Sequence, residues 1–329
     1  MIESEYVVFF PEAKPNTALF GGKGSNLIRL IKMKLSAKVP PGFLINTNCF
    51  KKFLKESKYY DQLSNLLEKT LNPKEILHHS AKITKIILES KIPKKIIESI
   101  EGAFDKLVKG KDADLSFAVR SSATIEDSSN FSFAGQAESY LHNLTFHDLL
   151  QSLKNCWASL FSPRAILYML HMKKLGVNFS LKNIQMAVIV QKMVNSHISG
   201  VLFTSNVVNN DSNQMLINST WGLGNTIADN LIIPDSIVIK KNKFEILKSI
   251  IGKKKKKSIK NPDGAHTVMV ETYPKSRKIC SLNDNQLRQL HNLGLKIEKE
   301  FNFPQDIEWA IENDEIFILQ SRSITTLKK

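Results

Sequence analysis

Gly21-Gly22-Lys23-Gly24 is a glycine-rich turn leading into an apolar helical pattern over residues 25–34. Such a turn exposes backbone N–H groups, and the helix behind it adds the positive end of its dipole, so an anion is favoured there. On these residues alone, a tight turn into a helix is the simpler reading. Arg120-Ser121-Ser122-Ala123 ends an apolar run. A guanidinium in that place can grip a phosphate through two N–H donors while the hydroxyls complete its hydrogen bonds. An ordinary salt bridge to Glu126 or Asp127 accounts for the arginine equally well. The third stretch is Asp306-Ile307-Glu308 with Gln320-Ser321-Arg322. Residues two apart on a strand share a face. If residues 306–311 and 316–320 form a hairpin through Asn313-Asp314, Glu308 and Gln320 meet across the ladder. A carboxylate and an amide oxygen suit Mg²⁺, which keeps hard oxygen ligands together with substrate phosphates. Arg322, one pleat further, would reach the same phosphates. A solvated sheet face is the alternative, against which Trp309 and Phe317 argue for a buried hairpin.

Other chemistries find little support. Residues 17–24 are not a P-loop, because Thr17 stands where the first glycine is needed and Gly24 follows Lys23. Trp221-Gly222-Leu223-Gly224 fails as a dinucleotide fingerprint, with Ile227 at the third glycine position. The eight histidines make no HExxH pattern; His78-His79 sits in a helical stretch, and His171 and His266 are isolated. Cys49, Cys156 and Cys280 lie more than 100 residues apart without ligand spacing, so all three are expected to be structural thiols in a reducing compartment.

The elements that must position these residues change character along the chain. A strand over residues 6–10 precedes the glycine turn, and Pro40-Pro41-Gly42 breaks the chain before a strand at 43–46. Apolar spacings of three and four, as in Ile83, Ile86 and Ile87, predict short helices from about 47 to 110. A strand at 116–119 follows, then two helices over 145–175 divided at Ser162-Pro163. From residue 184 strands dominate, at 184–194, 200–204, 214–218, 236–239, 266–270, 306–311 and 316–320, with one long helix at 284–300. The expectation is an α+β fold in two lobes, a helix-rich lobe over 1–190 and a strand-rich lobe over 191–329.

The 329 residues, 42% apolar and 23% charged, can bury a substantial core. No apolar run approaches the roughly 18 residues of a membrane span, and the acidic start Met1–Glu5 lacks the basic head of a secretory signal. A soluble cytoplasmic protein without membrane partners is expected. The formal charge of +15 invites nucleic acid, but the excess is lysine, with only six arginines, and no RNP, zinc-finger or helix-turn-helix pattern accompanies it. A nucleic-acid role is not expected. The run Lys253–Lys257, between Gly252 and Asn261-Pro262-Asp263-Gly264, reads as a solvated loop.

Taken in order, these stretches resemble the N-terminal ATP-binding domain of the phosphoenolpyruvate synthase and pyruvate phosphate dikinase family, which has an ATP-grasp-like fold. The matching pieces are Gly21-Gly22-Lys23-Gly24-Ser25-Asn26-Leu27, Val39-Pro40-Pro41-Gly42-Phe43, Ala118-Val119-Arg120-Ser121-Ser122-Ala123-Thr124 and Phe133-Ala134-Gly135-Gln136. They continue with Val190-Gln191-Lys192-Met193-Val194, Gly200-Val201-Leu202-Phe203-Thr204, Trp221-Gly222-Leu223-Gly224, Pro234-Asp235, Pro304–Ala310 and Leu319-Gln320-Ser321-Arg322. Any one is weak; the ordered set covers essentially the whole chain.

The resemblance implies that ATP lies between the lobes. Lys23, Arg120 and Arg322 would neutralise its phosphates as the catalytic cations, and a mobile loop containing Gly135 would cover them, with Ser139 where the family usually has threonine. Gln191 would stand beside the adenine. Glu308 and Gln320 would hold Mg²⁺, supported by Asp306. It further implies transfer of the β,γ-diphosphate of ATP to a histidine, with release of AMP. The family's phosphohistidine motif occurs nowhere in these residues, so that histidine and the acceptor-binding domain are expected in trans, on a separate domain or subunit. The acceptor would be a small molecule, pyruvate first, with a phenol or a rifamycin-type antibiotic as alternatives. A non-catalytic nucleotide-sensing module is the competing reading. Asn225, Val207 and Asn210 depart from the family's usual residues in two loops.

Overall fold

A computed structural model describes residues 5–57, 60–61, 73–109, 115–124, 127–128, 131–132, 139–174 and 185–325. The chain divides into two units, one of Met1–Ile28 with Pro41–Met193, the other of Arg29–Pro40 with Val194–Lys329. Each has its own buried apolar cluster.

The first unit runs through β1 (Val7–Phe9), α1 (Thr17–Lys32), β2 (Gly42–Ile45), α2 (Thr47–Glu56), α3 (Pro73–Glu89), α4 (Lys94–Val108) and β3 (Phe117–Ala123). Next come the short β4 (Asp127–Ser128) and β5 (Phe131–Ser132), β6 (Ser139–Asn143), α5 (Phe146–Ser159), α6 (Pro163–Lys174) and β7 (Met186–Lys192). Its antiparallel sheet has the order β1-β2-β7-β3-β6. β3 is buried along its whole length, so it lacks the alternation of a strand with one wet face. Trp157 on α5 anchors the core, with the Phe53 ring stacked 4.6 Å away and Phe50 at 5.8 Å. Local signals set the helix ends. Thr145 and Asp148 form a reciprocal capping box on α5, and Pro163 opens α6, where its missing N–H costs nothing.

In the second unit the strands are β8 (Ile198–Phe203), β9 (Gln214–Trp221), β10 (Asp235–Lys240), β11 (Ile246–Ile250), β12 (Lys256–Lys260), β13 (Thr267–Glu271), β14 (Gln305–Glu312) and β15 (Glu315–Ser323). The helices are the single turn α7 (Asn225–Ala228) and the long α8 (Asp284–Phe301). The main sheet is antiparallel in the order β11-β10-β9-β8-β14-β15, and β12 pairs with β13. Gly200 on β8 stands opposite Trp309; a Cβ there would lie 2.4 Å from the indole. The α8 helix starts at an Asn283–Gln286 capping box and stops at Asn302, which takes the left-handed conformation with φ 54°. The mixed helix and strand content is the α+β class expected from the sequence.

The segment Arg29–Pro40 packs with the strand-rich unit although it precedes most of the helix-rich one. The Arg29 guanidinium lies 3.9 Å over the Phe301 ring and donates to the Glu300 carbonyl at 2.9 Å. Leu30 and Ala37 join the second core.

The lysine run differs from its reading as a solvated loop. Lys254 is wholly buried and paired with the equally buried Asp235, and β12 begins at Lys256. Asp235 also accepts hydrogen bonds from Gly252 N–H at 2.9 Å and from the Ser281 N–H and hydroxyl, both at 2.8 Å. A buried ammonium survives because a carboxylate with its remaining lone pairs satisfied neutralises it. No helix of the described residues is long and apolar enough to cross a membrane.

Candidate functional site

Two of the stretches singled out in sequence form one structure in the first unit. The α1 helix breaks at Gly21, which takes φ 67° and ψ 179°, a conformation that an L side chain resists. The break frees backbone groups, and Ser122 on β3 satisfies them: its hydroxyl donates to the Phe20 carbonyl at 2.7 Å and accepts from the Gly24 N–H at 3.0 Å. A Cβ at Gly21 would lie 2.2 Å from the Ser122 carbonyl oxygen. Lys23, largely buried, reaches the Ser121 carbonyl at 3.4 Å. Ser122 is thus engaged inside the fold, where it holds the glycine turn against β3, rather than offering its hydroxyl to a ligand. Arg120 precedes it, directly opposite Ser139 on β6. Gln191, buried on β7, is opposite Ala118 of β3 on one side and Gly42 of β2 on the other.

In the second unit the hairpin forms as its sequence predicts. Asn313 and Asp314 take φ 50° and 62°, the left-handed pair of a two-residue turn whose twist suits a hairpin. Glu308 stands directly opposite Gln320, and Asp306 directly opposite Arg322. A bulge between Glu308 and Trp309 shifts the register set by the turn and brings Gln320, rather than Leu319, opposite Glu308. The four polar residues, two apart on each strand, share one face while Ile307 enters the core. Arg322 donates its Nε–H to Asp306 Oδ2 at 2.7 Å, and its Nη2 lies 2.6 Å from the same oxygen. Burial pushes the Asp306 carboxyl above its ordinary range; the Arg322 charge opposes this and the Glu308 charge adds to it. Gln320 Oε1 is buried with no hydrogen-bond partner among the described residues. An amide oxygen left in that state costs about 1–3 kcal/mol, and a hard cation would satisfy it. Among the described residues, no three or more His, Cys, Asp or Glu side chains gather into a metal cluster. The donor set that fits Mg²⁺ here is therefore one carboxylate and one amide, completed by water and phosphate oxygens.

The family described as pyruvate phosphate dikinase, AMP/ATP-binding domain, matches residues 17–329. This chain belongs to that family. Among its relatives is the probable phosphoenolpyruvate synthase of Archaeoglobus fulgidus, 38% identical over 96% of this chain and 41% of that protein. The probable phosphoenolpyruvate synthase of Pyrococcus abyssi is 33% identical over 98% of this chain and 44% of its own length. The rifampicin phosphotransferase of Bacillus cereus is also 33% identical, over 98% of this chain and 36% of that protein. The chain thus spans less than half the length of these relatives.

Within this AMP/ATP-binding domain, Lys23, Arg120, Ser139 and Gln191 lie in the first unit, and Asp306, Glu308, Gln320 and Arg322 lie on one face of the β14–β15 hairpin. Gly135, Glu126 and the loop 133–136 fall outside the described residues. Two features escaped the sequence reading. One is the clasp of Ser122 on the glycine turn, which joins residues 98 apart and has no local signal. The other is Asn218, half-buried on β9, which faces Val201 of β8 as Val201 faces Glu308. It lies in the same cross-strand row as the Glu308–Gln320 pair. The polar residues Gln214 and Asn218, four apart and flanking the apolar Met215-Leu216-Ile217, were the available signal.

Proposed function

We propose that this chain binds Mg-ATP and acts as the nucleotide half of a phosphotransferase of the phosphoenolpyruvate synthase type. The observation that carries the reading is the Glu308–Gln320 pair, held opposite one another with the Gln320 oxygen buried and unpartnered. Glu308 and Gln320 would hold Mg²⁺, which supplies positive charge against the phosphate oxygens. Asp306 keeps the Arg322 guanidinium oriented through two contacts to one oxygen, and Arg322 turns its remaining donors to the phosphates. Of the remaining residues, Lys23 and Arg120 would supply cationic donors to nucleotide phosphates, Gln191 would meet the adenine, and Gly135 and Ser139, the latter opposite Arg120, would be further nucleotide contacts.

In the transfer, a histidine nitrogen on a separate domain or subunit attacks the β-phosphorus. The N–P bond forms as the P–O bond to the α-phosphate breaks, and AMP leaves with that electron pair. Water then attacks the γ-phosphorus, the bond from it to the bridging oxygen breaks, and inorganic phosphate departs. The phosphohistidine left behind delivers the β-phosphate to an acceptor bound elsewhere. Pyruvate is the first candidate acceptor, supported by the relatives named phosphoenolpyruvate synthase; a rifamycin-type antibiotic is the second, from the rifampicin phosphotransferase. The chain's own contribution is electrostatic: fixed cations are placed where charge shifts in the transition state. One such phosphate contact is worth about 1.5–3 kcal/mol, roughly ten- to a hundredfold.

Calorimetric titration of Mg-ATP into the chain and into Arg322→Ala tests binding; saturable binding that weakens at least tenfold in the variant is expected. Reconstitution with a phosphohistidine-bearing partner then tests the chemistry. AMP and phosphate are the expected products, and ADP would sink the mechanism. Tight binding with no transfer to any such partner would favour a nucleotide-sensing module instead.

A further inference from the structure

One edge of the second unit's sheet is open. β11 pairs with β10 on one side and ends the strand order; the described residues place no strand on its other side. All of β11 is exposed. It reads Ile246-Leu247-Lys248-Ser249-Ile250, with Ile251 next, and the four aliphatic side chains are 41–49% exposed. Ile233, also exposed, extends the patch, because the backbone at Gly252 runs against the Ile233 carbonyl.

Single exposed aliphatics are ordinary. Four within six residues on a free edge are not, since unpaired N–H and C=O groups beside them template another strand. The opposite edge of the same sheet is managed differently: Lys38 N–H donates to the Ile316 carbonyl at 3.0 Å and its carbonyl accepts from Ile318 N–H at 2.9 Å, so β15 is covered there. Around β11 the charge has one sign. Lys240, Lys243, Lys248, Lys253, Lys255 and Lys256 are exposed, and Glu245 is the one acid between residues 240 and 257.

We propose that β11 is a docking edge for an extended acidic segment of a partner polypeptide, which adds to the sheet as a further strand. Main-chain hydrogen bonds give the pairing its affinity, and alternate side chains give it selectivity. Apolar residues of the incoming strand cover Ile246, Leu247, Ile250 and Ile251, and its carboxylates meet the lysines. The aliphatics themselves choose among occupants. A bulge in the pairing with β10 sets Ile246 on the face of Ile239 and Ile250, opposite Ser236, on the other face. A lipid surface covers one face only, whereas a neighbouring strand packs beside both. A polynucleotide would answer the lysines and leave the aliphatics wet. A second copy paired edge to edge about a two-fold axis would set its Lys248 and lysine run near their equivalents, and like charges across a strand pair repel. The inference is independent of nucleotide binding.

The experiment is hydrogen exchange on the full chain with a synthetic peptide of alternating valine and glutamate, beside a control with lysine for glutamate. The expected result is slowed exchange at residues 246–251 with the acidic peptide, and binding at least tenfold weaker for the control. Leu247→Glu with Ile250→Glu should also weaken it at least tenfold, with an unchanged melting temperature because both side chains face water. If that pair of changes disturbs folding, Lys248→Glu with Lys253→Glu is read in the same way. Equal binding of both peptides, absence of protection by the acidic one, or affinity unmoved in the variants overturns the proposal. So does concentration-dependent dimerisation, or binding to anionic vesicles, that protects these amides when the peptide does not.

Discussion

Gln320 separates a structural role from a functional one by the sign of its effect. Its amide oxygen is buried and unpartnered, so replacing the side chain with leucine removes an unsatisfied group and keeps its bulk. Gln320→Leu should therefore leave the thermal midpoint unchanged or raise it, while the Mg²⁺ dependence of ATP binding measured by calorimetry falls at least tenfold. A midpoint that drops with unaltered Mg²⁺ dependence would assign Gln320 to the fold. Gly21 makes the opposite case. A side chain there must adopt φ 67° and place Cβ 2.2 Å from the Ser122 carbonyl oxygen, which is backbone and has little room to yield. Gly21→Ala should cost about 2 kcal/mol or more in chemical denaturation, and Mg-ATP affinity should fall with it, because the same turn presents Lys23.

At the scale of elements, helix ends and buried ion pairs hold the pieces that carry the site. Asp148, in the α5 capping box, feels two opposing influences. Burial raises its pKa, but hydrogen bonds from Thr145 and the Leu144 N–H outweigh that and hold it below its ordinary value. A depressed carboxylate contributes stability that is present above the unfolded value of about 3.9 and is lost as pH falls through the folded one. Asp148→Asn should thus be less stable than the parent near neutrality, by about 1 kcal/mol. The two proteins should converge at low pH, which urea denaturation at both extremes checks. The Lys254–Asp235 pair ties the chain before β12 to the start of β10. Lys254→Ala leaves a buried carboxylate uncompensated and should cost about 3–5 kcal/mol, whereas replacing both partners by apolar residues of similar size should cost much less. A double-mutant cycle measures the difference.

At the scale of the whole molecule, two separate cores mean two sets of residues that stand or fall together. Trp157 belongs to one and Trp309 to the other, and replacing either with alanine removes about 3–5 kcal/mol of packing. Trp157→Ala should speed amide exchange in β2, β3 and β7 while β8, β9 and β14 keep their protection, and Trp309→Ala should do the reverse. Uniform loss of protection in either variant would show one cooperative unit.

Much of the element order was legible from residue types, because caps, breakers and periodicity act within a few residues. Pro163 divides α5 from α6, the Asn283–Gln286 box starts α8, and the Asn313-Asp314 turn closes the β14–β15 hairpin, although Glu308 meets Gln320 only through the bulge beside Trp309. The ordered motifs also carried the family. What the tertiary structure alone decided rests on contacts between residues distant in sequence. Ser122 spends its hydroxyl on a turn 98 residues earlier, Arg29–Pro40 joins strands that follow it by more than 150 residues, and Lys254 finds Asp235 and becomes core. A charged or polar residue looks solvated in sequence because nothing local neutralises it; burial depends on a partner that only folding brings near.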